Sequence, residues 1–209
     1  MKLTKIFHSC VLLEGKGLKI LIDPGKWQFD ENIVQAVEFY DIDAILVTHE
    51  HQDHYFPEAL KEISRRVITN SSLARKMKEA GINAEALSPG HTISIRDLSI
   101  HALDCPHGPL PVPCPENVGF LIDNKILAPG DSLESKGVKS PEVLLAPVIA
   151  PWMRVAEGID FVKHVKPKVV VPVHDGFMKY PFALNMFSRV LEEAGFNVQA
   201  KNPGESFEI

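Results

Sequence analysis

Residues 44–54 read AILVTHEHQDH, and no other stretch limits the folds open to this chain so sharply. The run AILVT is apolar without alternation, which predicts a short buried strand. Three histidines and two acids follow it with no spacer, and Pro57 then suits the first turn of a helix reaching about Ile63. The chain therefore presents a densely titratable loop directly at the end of a core strand.

Sequence punctuation elsewhere predicts further strands and helices around this unit. Residues 6–13 and 18–22 flank Glu14-Gly15-Lys16-Gly17 and read as a β-hairpin. Residues 67–69 form a strand, and the following SSLARKMKEAG has a serine start and Gly81 as its stop. The middle reads as all-β, with strands at 92–95, 98–103, 118–123 and 125–128, the last two joined by an Asp123-Asn124 turn. Then come a strand at 143–148, a helix near 155–165, a strand at 169–173 and a helix near 181–194 closed by Gly195. The tail, 197–209, supplies edge strands.

One internal echo organises these pieces. LKILIDPG (18–25) resembles NKILAPGD (124–131), and each is the second strand of a hairpin ending in an acid, Asp23 or Asp131, beside Pro-Gly. Each is followed by a strand with histidine at its C-terminal end, His49 and His174. The pattern predicts two pseudo-equivalent βα halves whose strand ends converge on one edge.

The histidine loop points to a metal. His49 and His51 are two apart, so an extended backbone turns both imidazoles the same way, with Asp53 and His54 following at the turn. Nitrogen and oxygen donors of this kind suit zinc, iron or manganese, while Glu50 and Gln52 alternate outward. One loop rarely closes a coordination sphere. His107 in CPHGP, Asp131 in PGDS and His174 in VPVHDG each follow an apolar strand, which is how rigid elements deliver further ligands.

The order H-x-H-x-D-H, then His, then Gly-Asp, then His resembles the metallo-β-lactamase-fold hydrolase superfamily over nearly the whole chain. That resemblance implies an α/β fold, an αββα sandwich of two mixed sheets packed together with helices on both outer faces. It also implies a dinuclear site. His49, His51 and His107 would hold the first metal, Asp53, His54 and His174 the second, and Asp131 would bridge them. Asp23 would brace the histidine loop from behind. FHSC with ILIDPG, and NVGF after His107, resemble the ascorbate-6-phosphate lactonase-like branch, although PGD stands where relatives often carry His-Gly-Asp. Asp131 in place of a bridging cysteine argues against antibiotic hydrolysis, and His51 in place of glutamate argues against oxygen reduction.

Two divalent ions less the charges of Asp53, Asp131 and a bridging hydroxide leave a site of about +1, suited to anionic substrates and developing oxyanions. The expected activity is hydrolysis of a small anionic ester or lactone by the bridging hydroxide. A phosphodiesterase acting on a nucleotide or nucleic acid and a non-catalytic metal-binding scaffold are the competing readings. No protein nucleophile is required, so Ser9 and Ser132, outside any GxSxG context, read as structural. His8 either lines the mouth of the site or packs within its strand. Trp27 and Trp152 either wall a substrate pocket or pack in the interior, and Arg154 either clamps a substrate anion or is solvated. His91, His101 and His164 read as surface or core residues.

Length and composition frame the rest. A chain of 209 residues suits one sizeable domain spanning 1–209, and 45% hydrophobic with 23% charged residues is ordinary for a globular protein. A net charge of −5 gives no basic footprint for nucleic acid. Cys10, Cys105 and Cys114 imply free thiols, not a disulfide framework. His8, Ser9 and Glu14 interrupt the only stretch resembling a signal segment, and no apolar run approaches the roughly 18 residues of a bilayer span. A cytoplasmic protein without a membrane anchor is expected.

Overall fold

The computed structural model describes residues 1–30, 33–176 and 180–209. The chain divides into two compact units, residues 1–88 with 202–209 and residues 89–201. The first runs β1 (Lys2–Phe7), β2 (Cys10–Gly15), β3 (Leu18–Ile22), α1 (Trp27–Asp30), a 3-10 turn (Ala36–Phe39), β4 (Ala44–Leu46), α2 (Pro57–Ile63), β5 (Arg66–Thr69), α3 (Ser71–Glu79) and β6 (Ala84–Ala86). The second runs β7 (Thr92–Ile95), β8 (Leu98–Leu103), β9 (Gly119–Ile122), β10 (Ile126–Ala128), β11 (Val143–Pro147), α4 (Val155–Val165), β12 (Val169–Val173), α5 (Phe182–Glu193) and β13 (Asn197–Val198). The chain then returns to the first unit as β14 (Ser206–Glu208). Among the described residues, no helix is long and apolar enough to cross a membrane.

Each unit holds one seven-stranded mixed sheet, and both sheets follow one plan. In the order β14-β1-β2-β3-β4-β5-β6, the first three pairings are antiparallel and the last three parallel. The order β7-β8-β9-β10-β11-β12-β13 repeats that sequence of pairings. The strands at which pairing changes sense are β3 and β10, the two segments of the sequence echo. Strand direction then fixes where loops emerge. In the first sheet β1 and β3–β6 run the same way, so His8, Asp23, the histidine loop and Asn70 all leave one edge. In the second, β8 and β10–β13 deliver His107, Asp131, Trp152 and His174 likewise. Open α/β sheets place ligands outside such carboxyl ends.

Apolar burial holds each edge still. The first core gathers Leu21, Ile45 and Val67 under Leu60, Ile63, Leu73 and Met77. The second gathers Leu127, Leu144 and Val170 under Ile159, Val162, Phe187 and Leu191. Each buried aliphatic side chain contributes roughly 1.5–3 kcal/mol. Leu73, Ala74 and Met77 lie on one face of α3, whose N-terminus is capped by Asn70, not by a serine, through Leu73 N–H at 2.8 Å.

Some expectations need correction. The strand expected over 6–13 breaks at His8-Ser9, where His8 takes φ 50° and turns the chain so that Phe7 pairs with Cys10. The hairpin is thus the second half of a three-strand meander. Helix α1, which begins at Trp27, and strand β6 have no counterpart in the sequence reading. The echo also does not extend to the histidines. By sheet position β4 answers to β11 and β5 to β12, so His49 and His174 do not occupy matching strands.

Candidate metal centre

On the first edge a buried carboxylate organises the histidine loop. Asp23 follows β3 with φ 47° and accepts three hydrogen bonds, from Thr48 N–H (2.8 Å), Thr48 Oγ1 (2.9 Å) and His54 Nδ1 (2.8 Å). A carboxylate only accepts, so His54 carries its proton on Nδ1 and offers the Nε2 lone pair. His49 Nδ1 lies 3.0 Å from Thr48 Oγ1, whose own proton goes to Asp23, so His49 donates there and is fixed in the same tautomer. Asp23 therefore orients both rings, one directly and one through Thr48. The loop turns tightly, with His54 N–H and Tyr55 N–H both on the His51 carbonyl at 2.9 Å. Gly25 seats against it, since an added Cβ would lie 2.0 Å from the Asp53 carbonyl oxygen.

The second edge is built around Asp131. Its Oδ1 lies 2.9 Å from His174 Nε2 and its Oδ2 3.5 Å from His107 Nε2. Trp152 Nε1–H donates to Oδ2 at 2.8 Å. His107 Nδ1 donates to the Gly108 carbonyl at 2.6 Å, and His174 Nδ1 faces the Ile149 carbonyl at 3.3 Å. Asn117 joins the loops that carry His107 and Asp131: its Nδ2 donates to the carbonyls of Cys105 (2.6 Å) and Pro129 (2.9 Å), and its Oδ1 faces Asp131 N–H at 3.4 Å. Gly108 lets Trp152 pack close, because a Cβ there would lie 2.0 Å from Trp152 Cε3.

These donors fit a first-row cation. With metal–ligand bonds of about 2.0–2.2 Å, neighbouring donors in octahedral or tetrahedral coordination stand about 2.9–3.6 Å apart. On the first edge, His49 Nε2 and His51 Nδ1 are 3.1 Å apart, and His54 Nε2 and Asp53 Oδ2 are 3.6 Å apart. On the second, both Asp131–histidine spacings fall within the same span. The donors are imidazole and carboxylate, which serve zinc, manganese and iron alike. Burial, then Asp23, holds the Cys10 thiol well above its ordinary range, and burial with Glu134 pushes Cys105 up to about 12.

The remaining singled-out residues divide. His8 is buried, and its Nε2 lies 3.3 Å from Asp53 Oδ2. Trp27 meets the His8 ring edge-on at 4.8 Å. Trp152 is buried and holds Asp131. Arg154 is exposed at the start of α4 and pairs with Glu157 at 3.0 Å, a local helix-end contact. His101 bonds Thr92 and His164 meets Lys139, away from both edges. Glu50, expected to point outward, forms an exposed ion pair with Lys76. Sequence reading missed Thr48 and Asn117; Ser9, read there as structural, has its Oγ 3.3 Å from His54 Nε2.

A family model described as a β-lactamase superfamily domain matches residues 2–174. A UPF0173 metal-dependent hydrolase of Thermoplasma volcanium is 32% identical over 184 residues, 80% of each chain. One from Methanocaldococcus jannaschii is 26% identical over 221 residues, 97% of each. Among solved structures, Igni18, a metallo hydrolase from the archaeon Ignicoccus hospitalis, matches with a TM-score of 0.80 at 25% identity, covering 100% of this chain and 98% of that one.

Proposed function

The chain belongs to the β-lactamase superfamily domains and to the UPF0173 metal-dependent hydrolases, with the α/β fold of the metallo-β-lactamase type, and from that premise we propose that it is a dinuclear hydrolase of small anionic esters or lactones. In this reading the two units are halves of one hydrolase domain. His49, His51 and His107 hold one ion, Asp53, His54 and His174 the other, and Asp131 serves both. The observation that carries the proposal is the commitment of Nδ1 on His49, His54, His107 and His174 to an oxygen of the surrounding protein. Each ring is thereby held in the tautomer that turns the Nε2 lone pair toward a cation.

Divalent transition-metal ions, when bound, supply Lewis acidity and an activated water at neutral pH. The protein's own part is to hold the donors rigid. Asp23 and Thr48 fix the first edge, and Asn117 and Trp152 fix the second. The carboxylates of Asp53 and Asp131 leave the site with a small positive charge that suits an anionic substrate.

Metal analysis of purified protein is expected to find close to two equivalents per chain. The metallated protein should hydrolyse sugar lactones or acyl esters in a panel that also holds cyclic nucleotides and bis-aryl phosphates. No metal after reconstitution with zinc, manganese and iron in turn would overturn the reading. Turnover of phosphodiesters alone would replace the ester or lactone by a phosphodiester, and silence over the panel would favour a metal-binding scaffold or a substrate outside the panel.

A further inference from the structure

We propose that His8 is itself a metal ligand, to the ion assigned to Asp53 and His54, a role the H-x-H-x-D-H pattern does not give it. The inference rests on the dinuclear reading above and adds a donor to one of its two sites. Three independent observations within the first unit and its sheet plan support it.

Distance is the first. His8 Nε2 stands 3.3 Å from Asp53 Oδ2, and one donor atom from each of His8, Asp53 and His54 lies within 4.8 Å of the other two. A charge-assisted N–H···O⁻ bond closes to about 2.7–2.9 Å. The observed spacing is longer, and falls where two donors on one first-row cation stand, at about 2.9–3.6 Å.

The second is how the ring is held. His8 is 1% exposed and takes φ 50°, a left-handed conformation that a residue with a Cβ keeps only when its surroundings impose it. Lys5, itself 2% exposed, donates from Nζ to the His8 carbonyl, and Trp27 packs against the ring edge-on. A buried lysine and a strained turn are costly ways to aim a side chain that merely fills space. Together they direct Nε2 toward Asp53.

The third is the internal repeat. In the shared sheet plan β1 answers to β8. The loop after β8 carries His107, a proposed ligand, and the turn after β1 carries His8. Each half thus sends a histidine from the strand two places before its switch strand. With His8 included, the ion has three donors from the first unit alone.

The test uses full-length apoprotein titrated with cobalt(II), read by metal stoichiometry, by dissociation constants and by the number of paramagnetically shifted imidazole N–H signals. Wild type is expected to bind two equivalents and to show six shifted signals, from His8, His49, His51, His54, His107 and His174, in place of five. His8→Asn keeps a residue tolerant of the left-handed turn. It should lose one signal and weaken the second cobalt by at least the tenfold typical of lost supporting contacts. In His8→Gly, added imidazole should restore that affinity. Five signals in wild type, or weakened binding in His8→Asn with no signal lost, would assign His8 to hydrogen bonding alone and overturn the inference while leaving the dinuclear reading in place. Failure of wild type to bind cobalt would instead remove the reading beneath it.

Discussion

Replacing Asp23 by asparagine tests the site at the point where its geometry is set. The carboxylate accepts from Thr48 N–H on Oδ1, and from Thr48 Oγ1 and His54 Nδ1–H on Oδ2. Asparagine is nearly isosteric, and its oxygen can keep the Thr48 amide. Its NH₂ group then faces Thr48 Oγ1, which can reverse and accept, and His54 Nδ1–H, which cannot. His54 must move its proton to Nε2, the nitrogen assigned to the metal. Hydrogen bonds to a charged group contribute about 1.5–3 kcal/mol and neutral ones about 0.5–1.5. Weakening three of them costs the metal-free protein about 3 kcal/mol, measurable by urea unfolding. Metal affinity should fall by about 10–100-fold, measured by chelator competition, and long-range ¹H–¹⁵N spectra should show the exchanged His54 tautomer. An Asp23→Asn protein with native metal affinity and His54 still protonated on Nδ1 would refute the argument.

Other expectations follow from the same contacts. Asp131→Ala should weaken the second metal by at least 10-fold and reduce hydrolysis with it; Asp175→Ala, next to His174, should leave metal content nearly intact, and the reverse outcome would show the acids wrongly assigned. Trp152→Phe keeps an aromatic ring but removes the donor to Asp131 and some buried volume, so metal-free stability should fall by at least about 1.5–3 kcal/mol in a denaturant titration. Cys114 is exposed, whereas Cys105 is buried with its thiol pushed up to about 12, a thiolate fraction of about 10⁻⁴ at pH 8. Iodoacetamide on the native protein should therefore modify Cys114 alone, as read by mass spectrometry.

Much of this arrangement can be read from the chain because the donors sit directly behind strands that composition alone identifies. AILVT, NKILA and VVVPV have few alternatives to burial, so the residues after them are edge residues. What resists such reading has a physical reason in each case. FHSC suits a strand, and nothing without a glycine announces the left-handed φ of His8. Trp152 meets Asp131 across 21 residues of chain, a pairing set by which strands lie side by side. Lys5 is different, because a signal was present: alternation in KLTKIF puts it on the buried face with Leu3. An inward lysine there should have raised the question of what it holds.

The two switch strands show why corresponding strands need not send out acids that do the same work. Asp23 directly follows β3, whereas Asp131 lies three residues past the end of β10, two positions beyond the place of Asp23 in the sequence echo. They differ in which imidazole nitrogen they face. Asp23 meets His54 at Nδ1, and Thr48 donors occupy the rest of its carboxylate, so its charge is spent fixing a tautomer. Asp131 meets His174 and His107 at Nε2, the nitrogens whose partners at Nδ1 are already backbone carbonyls. A carboxylate on the Nδ1 side orients a ligand, while one on the Nε2 side faces the same cation the ligand does. The contact, more than the position, separates the brace from the proposed bridge.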